Sequence, residues 1–75
     1  MAKKKPIDVH VGQRIKSRRE LLKHPVSTLA VQVHIPTALL VKYESGQERV
    51  PSKTLVDIGI ALGVSIFYFF EDSKG

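Results

Sequence analysis

The stretch that decides the fold runs Val26-Ser27-Thr28-Leu29-Ala30-Val31-Gln32-Val33-His34-Ile35-Pro36-Thr37-Ala38-Leu39-Leu40-Val41-Lys42-Tyr43-Glu44-Ser45-Gly46. Leu29, Ala30 and Val33 recur at i, i+1 and i+4, which puts them on one side of a short helix over 26–33. His34-Ile35-Pro36 interrupts it. A proline biases the residue before it away from helical geometry, and its fixed φ pre-sets the first turn of a following helix. The spacing therefore predicts another short helix over about 36–45, with Leu40, Tyr43 and Glu44 turned inward. Gly46 stops it, because glycine takes the left-handed conformation in which many helices end.

Two short helices joined this tightly cross at a steep angle, in a helix-turn-helix arrangement. Upstream, His24-Pro25 closes a first helix expected over 9–23, with Asp8 as its N-cap. Val11, Ile15, Arg19 and Leu22 form its apolar stripe, and Lys16, Arg18 and Lys23 lie largely off it. Arg19 is the odd member, since a charge on the inward stripe needs a buried partner. Downstream, residues 46–51 read as a polar loop. Ser52 caps a fourth helix over 52–62, with Leu55, Ile58, Ala61 and Leu62 on one face and Gly63 at its end. Ser65 caps a last short helix over 66–70. The expected fold is all-α: one compact domain of five helices over 8–70, preceded by a flexible basic arm (1–7) and followed by a short polar tail (71–75).

The composition narrows the function. The chain has 75 residues, no cysteine and a formal net charge of +5. Disulfides and Cys-ligated zinc are excluded, and the excess of positive charge points to an anionic partner. Lys3, Lys4, Lys5, Arg14, Lys16, Arg18, Arg19 and Lys23 crowd the first 23 residues against only Asp8 and Glu20. A solvated basic face is the bland alternative. The lysine run is followed by Pro6 and Asp8 instead of an apolar core, so a signal peptide is not expected. The apolar stretch Ile58 to Phe70 is broken by Gly59, Gly63 and Ser65 and is too short to span a bilayer. A soluble, cytoplasmic protein is the expectation. His10, His24 and His34 are scattered, with no metal spacing among them. No glycine-rich phosphate loop or nucleophile motif occurs. No enzyme, cofactor, metal or small-molecule ligand is therefore expected.

Several pieces, taken in order, carry a resemblance. They are Val11-Gly12-Gln13-Arg14-Ile15-Lys16-Ser17-Arg18-Arg19, Leu29-Ala30, Lys42-Tyr43-Glu44-Ser45-Gly46, Pro51, Leu55 and Ala61-Leu62-Gly63-Val64. Together they resemble the Cro/cI-type (XRE) helix-turn-helix family over about residues 8–70. Pro6-Ile7-Asp8-Val9-His10-Val11-Gly12, Lys42-Tyr43-Glu44 and Phe69-Phe70-Glu71-Asp72 look most like a subgroup of such regulators common in alphaproteobacteria. The resemblance implies a lambda-repressor-like fold and a DNA-binding transcriptional regulator, expected to act as a repressor. It implies that the third helix enters the major groove and presents Pro36, Thr37, Ala38, Leu39 and Lys42. It also implies that Arg19 pairs with Glu44 to lock that helix to the scaffold; the alternative leaves Glu44 in solvent. Phosphate contacts are expected from Ser27 at the start of the second helix, from Arg49 in the loop, and from Ser52 and Lys53 at the start of the fourth.

The chain departs from the family's pattern where bases would be read. Family members usually carry polar residues in the first turn of the third helix and often a glutamine where this chain has Val26. Thr37 can hydrogen-bond a base or phosphate, but Ala38 and Leu39 offer only apolar contact, for instance to a thymine methyl. The competing readings are a protein-interaction module or an antitoxin on the same scaffold. A piece of a longer regulator is a further one. Four of the five aromatics fall in Ile66-Phe67-Tyr68-Phe69-Phe70. Helical spacing gives Ile66, Phe69 and Phe70 to the core. Phe67 and Tyr68 are left as a homodimer surface, unless the small core absorbs them too.

Overall fold

Four α-helices and a closing 3-10 helix follow one another: α1 (Pro6–Leu21), α2 (Val26–Gln32), α3 (Thr37–Ser45), α4 (Ser52–Leu62) and the 3-10 helix Ile66–Phe70. They come from a computed structural model that describes residues 4–71. Lys3 of the expected arm and Asp72 to Gly75 of the expected tail lie outside the described residues.

Prolines start the helices. Pro25, Pro36 and Pro51 each occupy the cap position with φ near −60° and an extended ψ, directly before α2, α3 and α4. Pro6 sits in the first turn of α1, where its missing N–H has no helical partner to lose. Two expected caps are thereby corrected. Asp8 does not cap α1, which begins at Pro6 behind Lys5, so Pro6 and Ile7 belong to the helix and not to an arm. Ser52 is the first residue of α4, and its cap is Pro51. Ser65 does cap: its Oγ accepts from the Phe67 N–H at 3.2 Å.

Each of the four α-helices ends in the same way. A left-handed residue follows the last turn, at Lys23 (φ 59°), His34 (φ 60°), Gly46 (φ 80°) and Gly63 (φ 72°). The next N–H then reaches back to a carbonyl of the final turn, as in Ile35 to Ala30 at 3.0 Å and Gln47 to Lys42 at 3.0 Å. This is the Schellman closure, which satisfies carbonyls the helix leaves free. It ends α1 at Leu21, two residues short of the expected boundary.

The core draws on all five elements. Ile15, Leu29, Leu40, Ile58, Leu62 and Phe69 are fully enclosed, and Val11, Ala30, Val33, Tyr43 and Leu55 fill the space between them. Each such aliphatic or aromatic side chain contributes about 1.5–3 kcal/mol by leaving water. The main packing of α1 is against α3 and the 3-10 helix. Gly12 makes the first contact possible: a Cβ there would lie 2.6 Å from the Glu44 carbonyl oxygen. Leu22, expected on the α1 stripe, is exposed instead because the helix has already ended.

The closing segment is a 3-10 helix and not the expected fifth α-helix. Three residues per turn set Ile66 and Phe69 on one side. Phe69 is fully buried, whereas Phe70, expected in the core, is half exposed. Tyr68 is half-buried, with Arg14 lying over its ring at 4.0 Å.

Candidate nucleic-acid interface

α3 has two sharply different faces. Leu40, Tyr43 and Glu44 point into the domain, and Leu39 is half-buried against the core. Thr37, Ala38, Val41 and Lys42 are exposed. At 100° per residue these four fall within one arc of the helix, with Val41 near its middle. The sequence places Pro36, Thr37, Ala38, Leu39 and Lys42 on this face; Pro36 is exposed and caps α3 just before it. The structure brings three of them together, turns Leu39 largely away and adds Val41. That exchange was legible, since Val41 stands one turn after Thr37 whereas Leu39 does not.

The buried face is anchored by an ion pair. Arg19 Nε donates to Glu44 Oε2 at 2.7 Å and Nη2 to Oε1 at 3.0 Å. The third donor, Nη1, reaches the His24 carbonyl at 2.8 Å. One guanidinium thus joins α1, α3 and the turn into α2. The hydrogen bond to Glu44, outweighing the cost of burial, raises the Arg19 pKa above its ordinary value, so the guanidinium stays charged. Tyr43, next to Glu44 in sequence, has its phenol pKa pushed up by burial and then by the charge of Glu48.

The other α1 arginines are also occupied within the molecule. Arg14 Nε donates to the Tyr68 carbonyl at 3.2 Å, and Arg18 Nε to the Leu62 carbonyl at 3.0 Å. The second contact sets a cation on the negative end of the α4 dipole. His10 Nε2 donates to the Glu71 carbonyl at 2.6 Å. Arg14 and Arg18 thus tie α1 to the C-terminal part of the domain, while Lys4, Lys5, Lys16 and Lys23 remain exposed. Three further exposed cations, Lys42, Arg49 and Lys53, lie on or after α3.

The expected phosphate contacts are all exposed. Ser27 lies in the first turn of α2, and Ser52 and Lys53 open α4. Arg49 is held by Asp8, with Nε donating to Oδ1 at 2.9 Å, which leaves its terminal N–H groups free of that carboxylate. Glu48 stands 3.9 Å from Lys42 Nζ, an acid that the sequence reading did not connect with the α3 face. Val26 is half-buried and packs on the core. Among the described residues no cluster of three or more His, Asp or Glu could hold a metal ion, and no helix is long and apolar enough to cross a membrane.

No family model matches the chain. Individual relatives do. A transcriptional regulator of the ATPase CF(0) region of Rhodospirillum rubrum is 42% identical over 66 residues, covering 88% of this chain and 61% of the relative. An HTH-type transcriptional regulator of Sinorhizobium medicae is 40% identical over 73 residues, covering 97% of this chain and 52% of the relative. SinR, a master regulator for biofilm formation solved in complex with DNA, superposes with a TM-score of 0.75 at 27% identity, covering 81% of this chain and 98% of that one. Over nearly its whole length the chain is thus similar to HTH-type transcriptional regulators, in line with the Cro/cI-type (XRE) motifs of its sequence. The fold alone is shared with the Corynebacterium glutamicum regulator ClgR, at a TM-score of 0.85 and 22% identity over 91% of this chain and 72% of that one. The helix-turn-helix is formed here by α2 and α3, with Val33, the left-handed His34, Ile35 and Pro36 between them. The chain spans about half to three-fifths of the length of the curated relatives it matches.

Proposed function

We propose that this chain is a DNA-binding transcriptional regulator that lays the exposed face of α3 in a major groove and acts as a repressor. The observation that carries the reading is the two-sided α3. One face is fixed to the scaffold by Arg19–Glu44, while Thr37, Ala38, Val41 and Lys42 stand in solvent. Ser27, Arg49, Ser52 and Lys53 are the side chains for phosphate oxygens, and backbone N–H groups at the helix starts add to them. The net charge of +5 favours such a partner. A relative of similar fold, SinR, was solved with DNA bound.

A second copy completes the site in this reading. Phe67 is 72% exposed, an apolar ring that the other described residues leave largely uncovered. Tyr68, grouped with it in the sequence reading, lies half-buried under Arg14 and contributes less. The domain measures 31 × 29 × 21 Å. Two copies side by side would set their α3 helices about one DNA turn apart, ~34 Å.

The test is a salt titration of binding to random duplex DNA. Binding through phosphates weakens steeply as salt rises. Lys42→Ala should lower the slope of log K against log salt by about one, without unfolding the domain. Flat or absent binding favours the rival, a protein-interaction module or antitoxin. The observation on that side is the apolar exposure of Val31 and Val41.

A further inference from the structure

The exposed face of α3 is poor in hydrogen-bonding groups. Thr37 offers one hydroxyl and Lys42 one ammonium; Ala38 and Val41 between them offer only methyl groups, and Val41 is 49% exposed. Bidentate recognition of guanine needs Arg or Lys and that of adenine needs Asn or Gln. Of these α3 carries only Lys42, at the edge of the exposed arc and 3.9 Å from Glu48. In the major groove the one apolar feature of a base pair is the C5-methyl of thymine. Side chains that can only exclude water gain from meeting that group and lose by facing the polar edges of guanine and cytosine, whose hydrogen bonds to water they would break.

We infer that α3 selects its DNA through thymine methyl groups packed against Ala38 and Val41. The inference rests on the proposal that α3 lies in the major groove and adds to it the chemistry of the choice. The scaffold supports it. Arg19–Glu44 and the buried Leu40 and Tyr43 hold α3 from behind, so these short side chains cannot be exchanged for others by rolling the helix. Ala38 and Val41 have almost no reach, and the backbone must come close to the bases; such an approach suits a methyl that projects into the groove. Thr37, one turn before Val41, can donate to the O4 of the same thymine.

The experiment uses the duplex that the chain itself selects from a random library. Each contacted thymine is then replaced singly by deoxyuridine, which removes the methyl and leaves the pairing edge unchanged. Each effective replacement should weaken binding about fourfold, the equivalent of one buried methyl group at ~0.8 kcal/mol. Val41→Ala should bind the methylated site more weakly and lose its sensitivity to deoxyuridine at one position. Three results overturn the inference while leaving DNA binding intact: a selected site without thymine under α3, unchanged affinity on deoxyuridine substitution, or an equal loss in wild type and Val41→Ala, which would report DNA shape and not contact. If neither random nor selected duplex is bound at any salt concentration, the underlying proposal falls as well.

Discussion

Arg19 and Glu44 meet inside the domain through two parallel hydrogen bonds, 2.7 and 3.0 Å long, with both side chains about nine-tenths buried. This planar fork lets a charge sit on the inward face of α1, since each partner satisfies the other's donors or acceptors. Removing one partner leaves the other charged and buried. Glu44→Ala should therefore cost about 3 kcal/mol or more in urea denaturation. Arg19→Lys should also destabilise, because an ammonium cannot hold both oxygens and the His24 carbonyl in that geometry. The raised pKa keeps Arg19 protonated well beyond neutrality, so neither loss should depend on pH near neutrality. An unchanged melting temperature for Glu44→Ala would contradict the description of the pair.

Two helix ends carry backbone strain. Lys23 and His34 adopt φ near +60°, where a side chain is crowded by its own backbone, while Gly46 and Gly63 do the same job freely. His34→Gly should stabilise the domain by about 0.5–1 kcal/mol, the relief of strain outweighing the added freedom of the unfolded chain. His34→Val should destabilise it. Thermal melts of the two variants in parallel decide the matter, and the reverse order would refute the strain.

Tyr43 ties stability to alkaline pH. Burial raises its pKa above the usual value of about 10, so the fold prefers the neutral phenol. Below that usual value both folded and unfolded chains are protonated there and stability is level. As pH rises through it the unfolded chain loses the proton first, and the domain loses stability until the folded phenol also ionises. Tyr43→Phe should remove this part of the alkaline decline. Denaturation midpoints of the two proteins between neutral and alkaline pH measure it; equal slopes would show that Tyr43 titrates normally.

Glu48 stands against the proposed DNA face. It lies 3.9 Å from Lys42 with both side chains about half exposed, a pair that contributes little to folding. Glu48→Gln should leave the melting temperature nearly unchanged and tighten DNA binding at low salt. The gain should fade as salt screens the charges. Fluorescence anisotropy across a salt series reads both, and a loss of affinity would mean that Glu48 positions Lys42 instead of opposing the phosphates.

Much of this was legible in the sequence where one residue type admits few explanations. Pro36 and Gly46 bracketed α3 because each forces or frees a backbone angle. The inward period of Leu40, Tyr43 and Glu44 followed directly, as did that of Val11, Ile15 and Arg19 in α1. The start of α1 was misplaced because Asp8 has the chemistry of a cap, but its carboxylate is taken by Arg49, 41 residues away. The end of α1 was misplaced because Lys23 gives no sign of a left-handed turn. In the aromatic segment a 3.6-residue period predicts Phe70 inside, whereas the chain takes three residues per turn, which sets Phe70 outward and Tyr68 against Arg14. The roles of Arg14 and Arg18 depend on carbonyls 54 and 44 residues away, which no local pattern reveals.

The central claim is that the solvent face of α3 lies against DNA, and Val41→Glu tests it most directly. Val41 is 49% exposed in mid-helix, so the change should shift folding stability by no more than about 0.5 kcal/mol. A carboxylate at the middle of the proposed contact would face phosphates and base edges, and should weaken duplex binding by roughly tenfold or more through like-charge repulsion and desolvation. A folded Val41→Glu variant that binds duplex DNA as tightly as the wild type would contradict the account.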